Sequence, residues 1–173
     1  MPALITERLR LVPITLEGIE AVLAGDQARA EAIVGARFPP DWPGAPLLDV
    51  GFPYSRDAIR ADPEIRLWGD SLVVLRDEPR VVGSVVFHGR PTDGIAEIGY
   101  AIEERSRGAG LASEATRACL DWALAQAGIT AVQATTFPWH VASLGVIRNL
   151  GMRQVATRDH DTLGELLVFE RRR

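Results

Sequence analysis

The stretch Arg105-Ser-Arg-Gly-Ala-Gly110 sets two cations beside two glycines at a spacing that suits phosphate binding. Gly108 and Gly110 allow a tight turn without Cβ clashes. A helix opening after them leaves its first amides unpaired, with the positive end of its dipole at the turn. A diphosphate fits such a place, with Arg105 and Arg107 adding charge. A plain strand-to-helix turn would use the same two glycines. Two other phosphate loops fail on spacing. The P-loop ends in Gly-Lys-Ser/Thr, and this chain has no lysine. The dinucleotide fingerprint wants a third glycine where Ser113 stands, and it lies early in a βαβ unit rather than mid-chain after a hairpin.

A strand must enter that turn and a helix must leave it. Ile95-Ala-Glu-Ile-Gly-Tyr-Ala-Ile102, opened by the turn signal Asp93-Gly94, reads as the strand. The strongest helix spans 112–127, where Ala115, Ala118, Cys119, Trp122 and Ala123 form one apolar stripe and Gly128 stops it. Upstream, Ser71-Leu-Val-Val-Leu-Arg76 and Arg80-Val-Val-Gly-Ser-Val-Val-Phe-His88 are β-branched runs around Asp77-Glu-Pro79, a hairpin pattern. Downstream come a strand over 130–137, a helix over 141–150 ended by Gly151, and closing strands over 152–158 and 163–170.

The chain opens with an alternating strand over 7–14. Thr15 then caps a helix carrying Leu16, Ile19, Ala21, Val22 and Leu23. A second helix is expected over 27–36 and a short one near 55–61. Between them, Phe38-Pro-Pro-Asp-Trp-Pro-Gly-Ala-Pro46 packs four prolines and a glycine into nine residues, which stops regular structure. With Trp42 and Phe52, the stretch 38–53 reads as an ordered wall or lid. The element order implies an α/β (α+β) arrangement: one mixed sheet of about seven strands with helices on both faces. A single domain over 1–173 is expected.

The apolar fraction of 47% and charged fraction of 24% are those of an ordinary globular chain. Cys119 is the sole cysteine, which excludes an internal disulfide framework and suits a reducing cytoplasm. No secretory signal and no membrane span are expected. A net charge of -4 offers no footprint for phosphate backbones, which counts against nucleic acid. It suits an amine-bearing partner, and it equally suits plain solubility.

Arg105-x-x-Gly108-x-Gly110 resembles the Arg/Gln-x-x-Gly-x-Gly/Ala signature of the GNAT N-acetyltransferase superfamily. The runs Ala96-Glu-Ile-Gly-Tyr-Ala-Ile and Arg107-Gly-Ala-Gly-Leu-Ala-Ser-Glu-Ala115 are similar to its RimJ/RimL-like branch. So are Thr6-Glu-Arg-Leu-Arg-Leu-Val-Pro13 and His140-Val-Ala-Ser-Leu-Gly-Val-Ile-Arg-Asn-Leu-Gly-Met152. The resemblance implies the acyl-CoA N-acyltransferase fold, acetyl-CoA as acyl donor and no metal. It implies that backbone groups of Ala101 and Ile102 pair with the pantetheine amides. The pyrophosphate would lie on the amides of Arg107, Gly108, Ala109, Gly110, Leu111, Ala112 and Ser113, beside Arg105. Ser143 would donate to the departing CoA thiolate; a helix-facing hydroxyl bonded to its own backbone is the other reading. Two positions depart from the pattern. His140 stands where an asparagine usually touches pantetheine, and Ile147 where many relatives carry a tyrosine general acid. Relatives are often homodimers.

Acyl transfer to an amine needs a base or water chain to take a proton, and N–H donors for the oxyanion. Alternation sets Glu97 opposite Ile98 and on the face of Gly99 and Ala101, where it is either that base or a solvated carboxylate. His160 and Asp161, in the turn between the closing strands, are the second option. His88 reads as a surface histidine and Cys119 as core rather than nucleophile. The first helices with Trp42, Phe52, Tyr54, Trp68 and Trp139 would wall the acceptor, although aromatic residues also make good core. The acceptor is either a protein N-terminus or a small-molecule amine. The expected function is an acetyltransferase, with a non-catalytic acyl-CoA-binding module of the same fold as the alternative.

Overall fold

The structure, a computed structural model, describes every residue except Asp41 and Pro46. The part of the Pro-rich reading that falls on those two lies outside the described residues. Eight strands form one sheet in the order β1-β2-β3-β4-β5-β6-β8-β7. They are β1 (Leu4–Ile5), β2 (Leu9–Pro13), β3 (Asp70–Leu75), β4 (Val81–Phe87), β5 (Ile95–Ile102), β6 (Ala131–Thr136), β7 (Arg153–His160) and β8 (Gly164–Arg172). The strand beyond the expected number is β1, two residues paired through Leu4↔Leu11 and too short to leave a period in the sequence. Strands β1 to β5 run antiparallel in turn, β6 joins β5 in parallel, and β8 slips between β6 and β7.

Period-two alternation divides two cores between the faces of the sheet. Leu9, Leu11, Val73, Val85 and Ile98 pack against the stripe Ala115, Cys119, Leu120 and Ala123 of α4 (Leu111–Ala125). Burial raises the Cys119 thiol to about 12, which leaves it an inert core residue. On the other face, Ile14, Leu72, Val74 and Val81 meet α1 (Leu16–Leu23), α2 (Gln27–Val34) and α3 (Phe52–Ala61). The final helix, α5 (Val141–Asn149), inserts Ile147 into the α4-side core. Each large aliphatic side chain taken from water there contributes roughly 1.5–3 kcal/mol.

Thr15 caps α1 by accepting from the Gly18 amide at 3.1 Å, and Asp26 caps α2 through the Arg29 amide. Helix α3 starts earlier than expected, at Phe52, because Pro53 sits in the first turn where no N–H is needed. A 3-10 turn over Pro63–Trp68 leads from α3 into β3.

The sheet has one internal break. β5 and β6 pair only at Ile95↔Ala131, Ala96↔Val132 and Glu97↔Gln133. Beyond Glu97, β5 stays with β4 as far as Gly83↔Ile102, while its other edge parts from β6. The opening lies beside the N-terminus of α4.

Candidate active site

Gly108 and Gly110 take φ of +79° and +77°, the left-handed region, and so turn the chain from β5 into α4. Gly110 is the N-cap of that helix and brings no side-chain cap. Among the described residues, none of the six amides over 108–113 donates to a protein acceptor. Six donors and the positive end of a 15-residue helix thus share one open space. That space continues into a cavity of about 320 Å³ between α4 and α5, lined by Ser106, Arg107, Ala112, Ala142 and Asn149.

Two carboxylates brace the turn. Glu103 accepts from Arg80 and, at 2.5 Å, from Ser106 Oγ. Glu114, in the first turn of α4, accepts from Thr6 Oγ1 at 2.5 Å, Arg8 N at 2.9 Å and Arg8 Nε at 2.7 Å. Arg8 Nη1 also donates to the Ala109 carbonyl at 2.9 Å, which ties the start of β2 to the cradle. Burial opposes both negative charges, but these bonds prevail and hold both carboxyls below the usual glutamate range. The two expected cations divide. Arg105 is exposed, 3.7 Å from Glu103, whereas Arg107 turns back and donates from Nε to the Ile102 carbonyl at 3.0 Å.

The splayed edge of β5 follows from its register. His88 N donates to Glu97 O and Glu103 N to Val82 O, so the odd-numbered residues of β5 spend their peptide groups on β4. Ala101 turns its carbonyl against Gly83. The edge facing the opening therefore belongs to Ile98, Tyr100 and Ile102. Register spends the peptide groups of Ala101 on β4 and turns those of Tyr100 toward the opening, while Arg107 donates to the Ile102 carbonyl.

The Tyr100 side chain points to the α5 side, where its hydroxyl lies 3.0 Å from Ser143 Oγ and 3.1 Å from the Ser143 carbonyl. With the phenolic proton on the carbonyl, the serine hydroxyl donates to the phenol oxygen. Burial pushes the Tyr100 hydroxyl above its ordinary pKa, with the Ser143 bond opposing. Ser143 itself is 8% exposed, so its hydroxyl is a paired, buried group rather than a solvated one. Across the opening, Thr136 would face Tyr100 if the β5–β6 register continued. Its Oγ1 is buried and has no partner among the described residues.

Glu97 lies on the opposite face of β5. His88 Nδ1 and Thr135 Oγ1 each stand 3.4 Å from its carboxylate. The His88 ring covers Gly99, since a Cβ there would come within 3.1 Å of Nε2. Glu97 and Ser143 thus flank the opening from its two sides. His160 sits at the exposed end of β7, with Nδ1 accepting from the Thr162 and Leu163 amides at 3.3 Å, and Asp161 is exposed in the turn beside it. The His160 ring meets Phe137 edge-on at 5.6 Å, and Phe137 stacks on Trp139 at 5.0 Å. His140 begins α5, exposed and without a side-chain capping bond, under Trp139. No hydrogen bond joins His160 to Glu97 or Ser143 among the described residues.

The aromatic residues part ways too. Trp42 lies between Phe38 and Phe52, and Trp68 packs on Phe87 and Trp122, so both serve the cores, while Tyr54 and Trp139 stay exposed. Sequence reasoning passed over Arg8, Glu114, Tyr100 and Thr136. Thr6, Arg8 and Glu114 stand in the segments that carry the resemblance, yet their joint role appears only when β2 reaches α4.

Residues 8–153 match the model of the family described as acetyltransferase (GNAT) domain. The N-acetyltransferase YjdG of Bacillus subtilis (strain 168), named as uncharacterized, is 26% identical over 152 residues, covering 87% of this chain and 89% of that protein. Two solved structures share the fold. The ribosomal-protein-S5-alanine acetyltransferase from Vibrio fischeri has a TM-score of 0.72 at 14% identity, covering 99% of this chain and 97% of that one. The ribosomal L7/L12 α-N-protein acetyltransferase RimL, in complex with coenzyme A, has a TM-score of 0.68 at 16% identity, covering 98% and 96%. Unpaired amides after a splayed strand and a family match across the same residues lead to one assignment: the chain belongs to the acetyltransferases of the GNAT family.

Proposed function

We propose that the chain moves the acetyl group of acetyl-CoA to a primary amine by direct attack in a ternary complex. One observation carries the reading: the free peptide edge of Tyr100 runs from six unpaired amides to a point flanked by Glu97 and Ser143. The amides of residues 108–113 hold the pyrophosphate, with the exposed Arg105 guanidinium close enough in sequence to swing from Glu103 toward it. A pantetheine chain carries amide groups of its own and no side chains, so it fits the Tyr100 edge. The orphaned Thr136 hydroxyl lies along the same opening.

Amine and thiolate then use opposite faces of β5. The amine approaches from the α1–α3 face, where Glu97 accepts its proton through water with His88 beside it. The C–S bond breaks toward the α5 face, where the Ser143 hydroxyl turns its one proton from the Tyr100 oxygen to the leaving sulfur. His160 stands in this reading as a rim residue of the acceptor side. A lone buried Cys119 suits a cytoplasmic setting. Release of free CoA thiol over a panel of primary amines tests the proposal. Tight acetyl-CoA binding with no thiol released for any amine refutes it. Ser143→Ala is expected to lower kcat far more than acetyl-CoA affinity, and the reverse would make Ser143 a binding residue only.

A further inference from the structure

A cavity of about 430 Å³ lies beneath α3 on the same sheet face as Glu97. Its walls are apolar, with Ile14, Ile59, Ile65, Trp68 and Val86 among them. Among the described residues, one carboxylate enters this wall. Asp70, at the start of β3, accepts from Ser55 Oγ at 2.9 Å and joins no salt bridge among the described residues. Burial pushes its carboxyl above the ordinary range, while Ser55 and the nearby His88 pull it back. The other polar lining groups are the Arg66 guanidinium, on an exposed residue of the 3-10 turn, the exposed Tyr54 hydroxyl on α3 and the His88 ring after β4. A carboxylate set into apolar walls, with only the neutral Ser55 hydroxyl and its own backbone amide as donors, is a poor stability element and a good receptor for a cation.

Register gives the distance from that carboxylate to the chemistry. Asp70 pairs with Val86, and Val86 with Gly99, in one row across β3, β4 and β5. Two strand spacings put Asp70 roughly 10 Å from the strand that borders the opening. An ammonium bound at Asp70 is therefore too far away to be the attacking amine. It is the other end of the acceptor. Resting on the acetyl-transfer reading above, we infer that this cavity binds the non-reacting end of a small diamine. The second ammonium sits on Asp70 and Ser55, an apolar chain follows Val86 past His88, and the first amine reaches Glu97. An extended chain advances about 1.2 Å per bond, so a separation of about five to seven methylenes spans the row.

The test pairs hexane-1,6-diamine with hexylamine, in the wild type and in Asp70→Asn, which keeps the shape of the side chain and the backbone of β3. For the wild type, kcat/KM for the diamine should exceed that for the monoamine by at least about tenfold, the worth of one charge-assisted bond. Asp70→Asn should erase that difference while leaving acetyl-CoA affinity and the hexylamine rate within about twofold. Equal loss for both amines, or no loss for either, overturns the inference. So does a neutral peptide acetylated as fast as the diamine and indifferent to Asp70→Asn. If no amine releases thiol, the transfer reading fails instead, and thermal shift with hexane-1,6-diamine alone decides this cavity. Stabilisation of the wild type but not of Asp70→Asn upholds it, and none in either overturns it.

Discussion

Gly108→Ala separates the strain of a turn from its use as a ligand cradle, and Gly128→Ala is its matched control. Both glycines have φ of +79°, both offer an added Cβ nothing within 4 Å, and they lie at opposite ends of α4. In either variant the new methyl forces an L-residue into the left-handed region, at roughly 1–2 kcal/mol. The loss of unfolded-state freedom offsets about 0.4–1 kcal/mol of this. A net cost of about 1 kcal/mol lowers Tm by roughly 2–4 °C for a chain of this size. The variants should therefore unfold alike without ligand. They should differ in calorimetric titration with acetyl-CoA. At position 108 the strain falls on the turn that carries the six amides, and displacing them forfeits at least one charge-assisted bond, so Kd should rise at least about tenfold. At position 128 Kd stays at the wild-type value. Wild-type affinity in Gly108→Ala, or an equal loss in Gly128→Ala, refutes the assignment of the cradle.

Three further outcomes follow from the same contacts. Glu103 and Glu114 titrate below their ordinary values, so the unfolded chain binds more protons just below about pH 4.3. Their stabilisation is complete above that pH and disappears as pH falls through the lowered values; denaturant unfolding should show this acid limb, and Glu114→Gln should shrink it. Thr136→Val removes a buried hydroxyl without a partner, so the free protein should gain about 1 kcal/mol in denaturant unfolding while acetyl-CoA binds less tightly. Unchanged affinity there would take Thr136 out of the donor path. Tyr100→Phe should cost about 1 kcal/mol of stability and lower kcat several-fold with KM for acetyl-CoA little changed, because it frees Ser143 without touching the β5 edge. A kcat equal to wild type would remove the pair from the chemistry.

What the residues disclosed in advance was local. Two glycines between a β-branched run and an alanine-rich apolar stripe are enough to locate the turn and the helix dipole, and both stand where expected. The splay is different, because it begins at Glu97↔Gln133 with no residue type to mark it and arises from how β6 leaves β5. Period two put Glu97 opposite Ile98, as the burial of β5 has it, but nothing marked Tyr100 as the residue whose hydroxyl reaches Ser143. Which peptide groups of β5 turn toward β4, those of Ala101 among them, is a hydrogen-bond parity set by the partner strand and carries no mark in the sequence. Asp70 stands one residue before the run that begins at Ser71, with nothing beside it in the sequence to suggest a role. Only the packing of α3 across β3 turned it into the floor of a cavity.

Most sheets keep their exposed peptide groups at the rim, where a stray strand from another molecule can add to them. Here the unpaired edge at Tyr100 is internal, walled by β6 on one side and α5 above. A strand from another molecule needs nearly 5 Å of lateral room and space for side chains on both faces. An edge enclosed within the sheet is harder for such a strand to reach than one at the rim. The gap that the proposed acetyl-CoA thread would use therefore also spares the protein an aggregation-prone border.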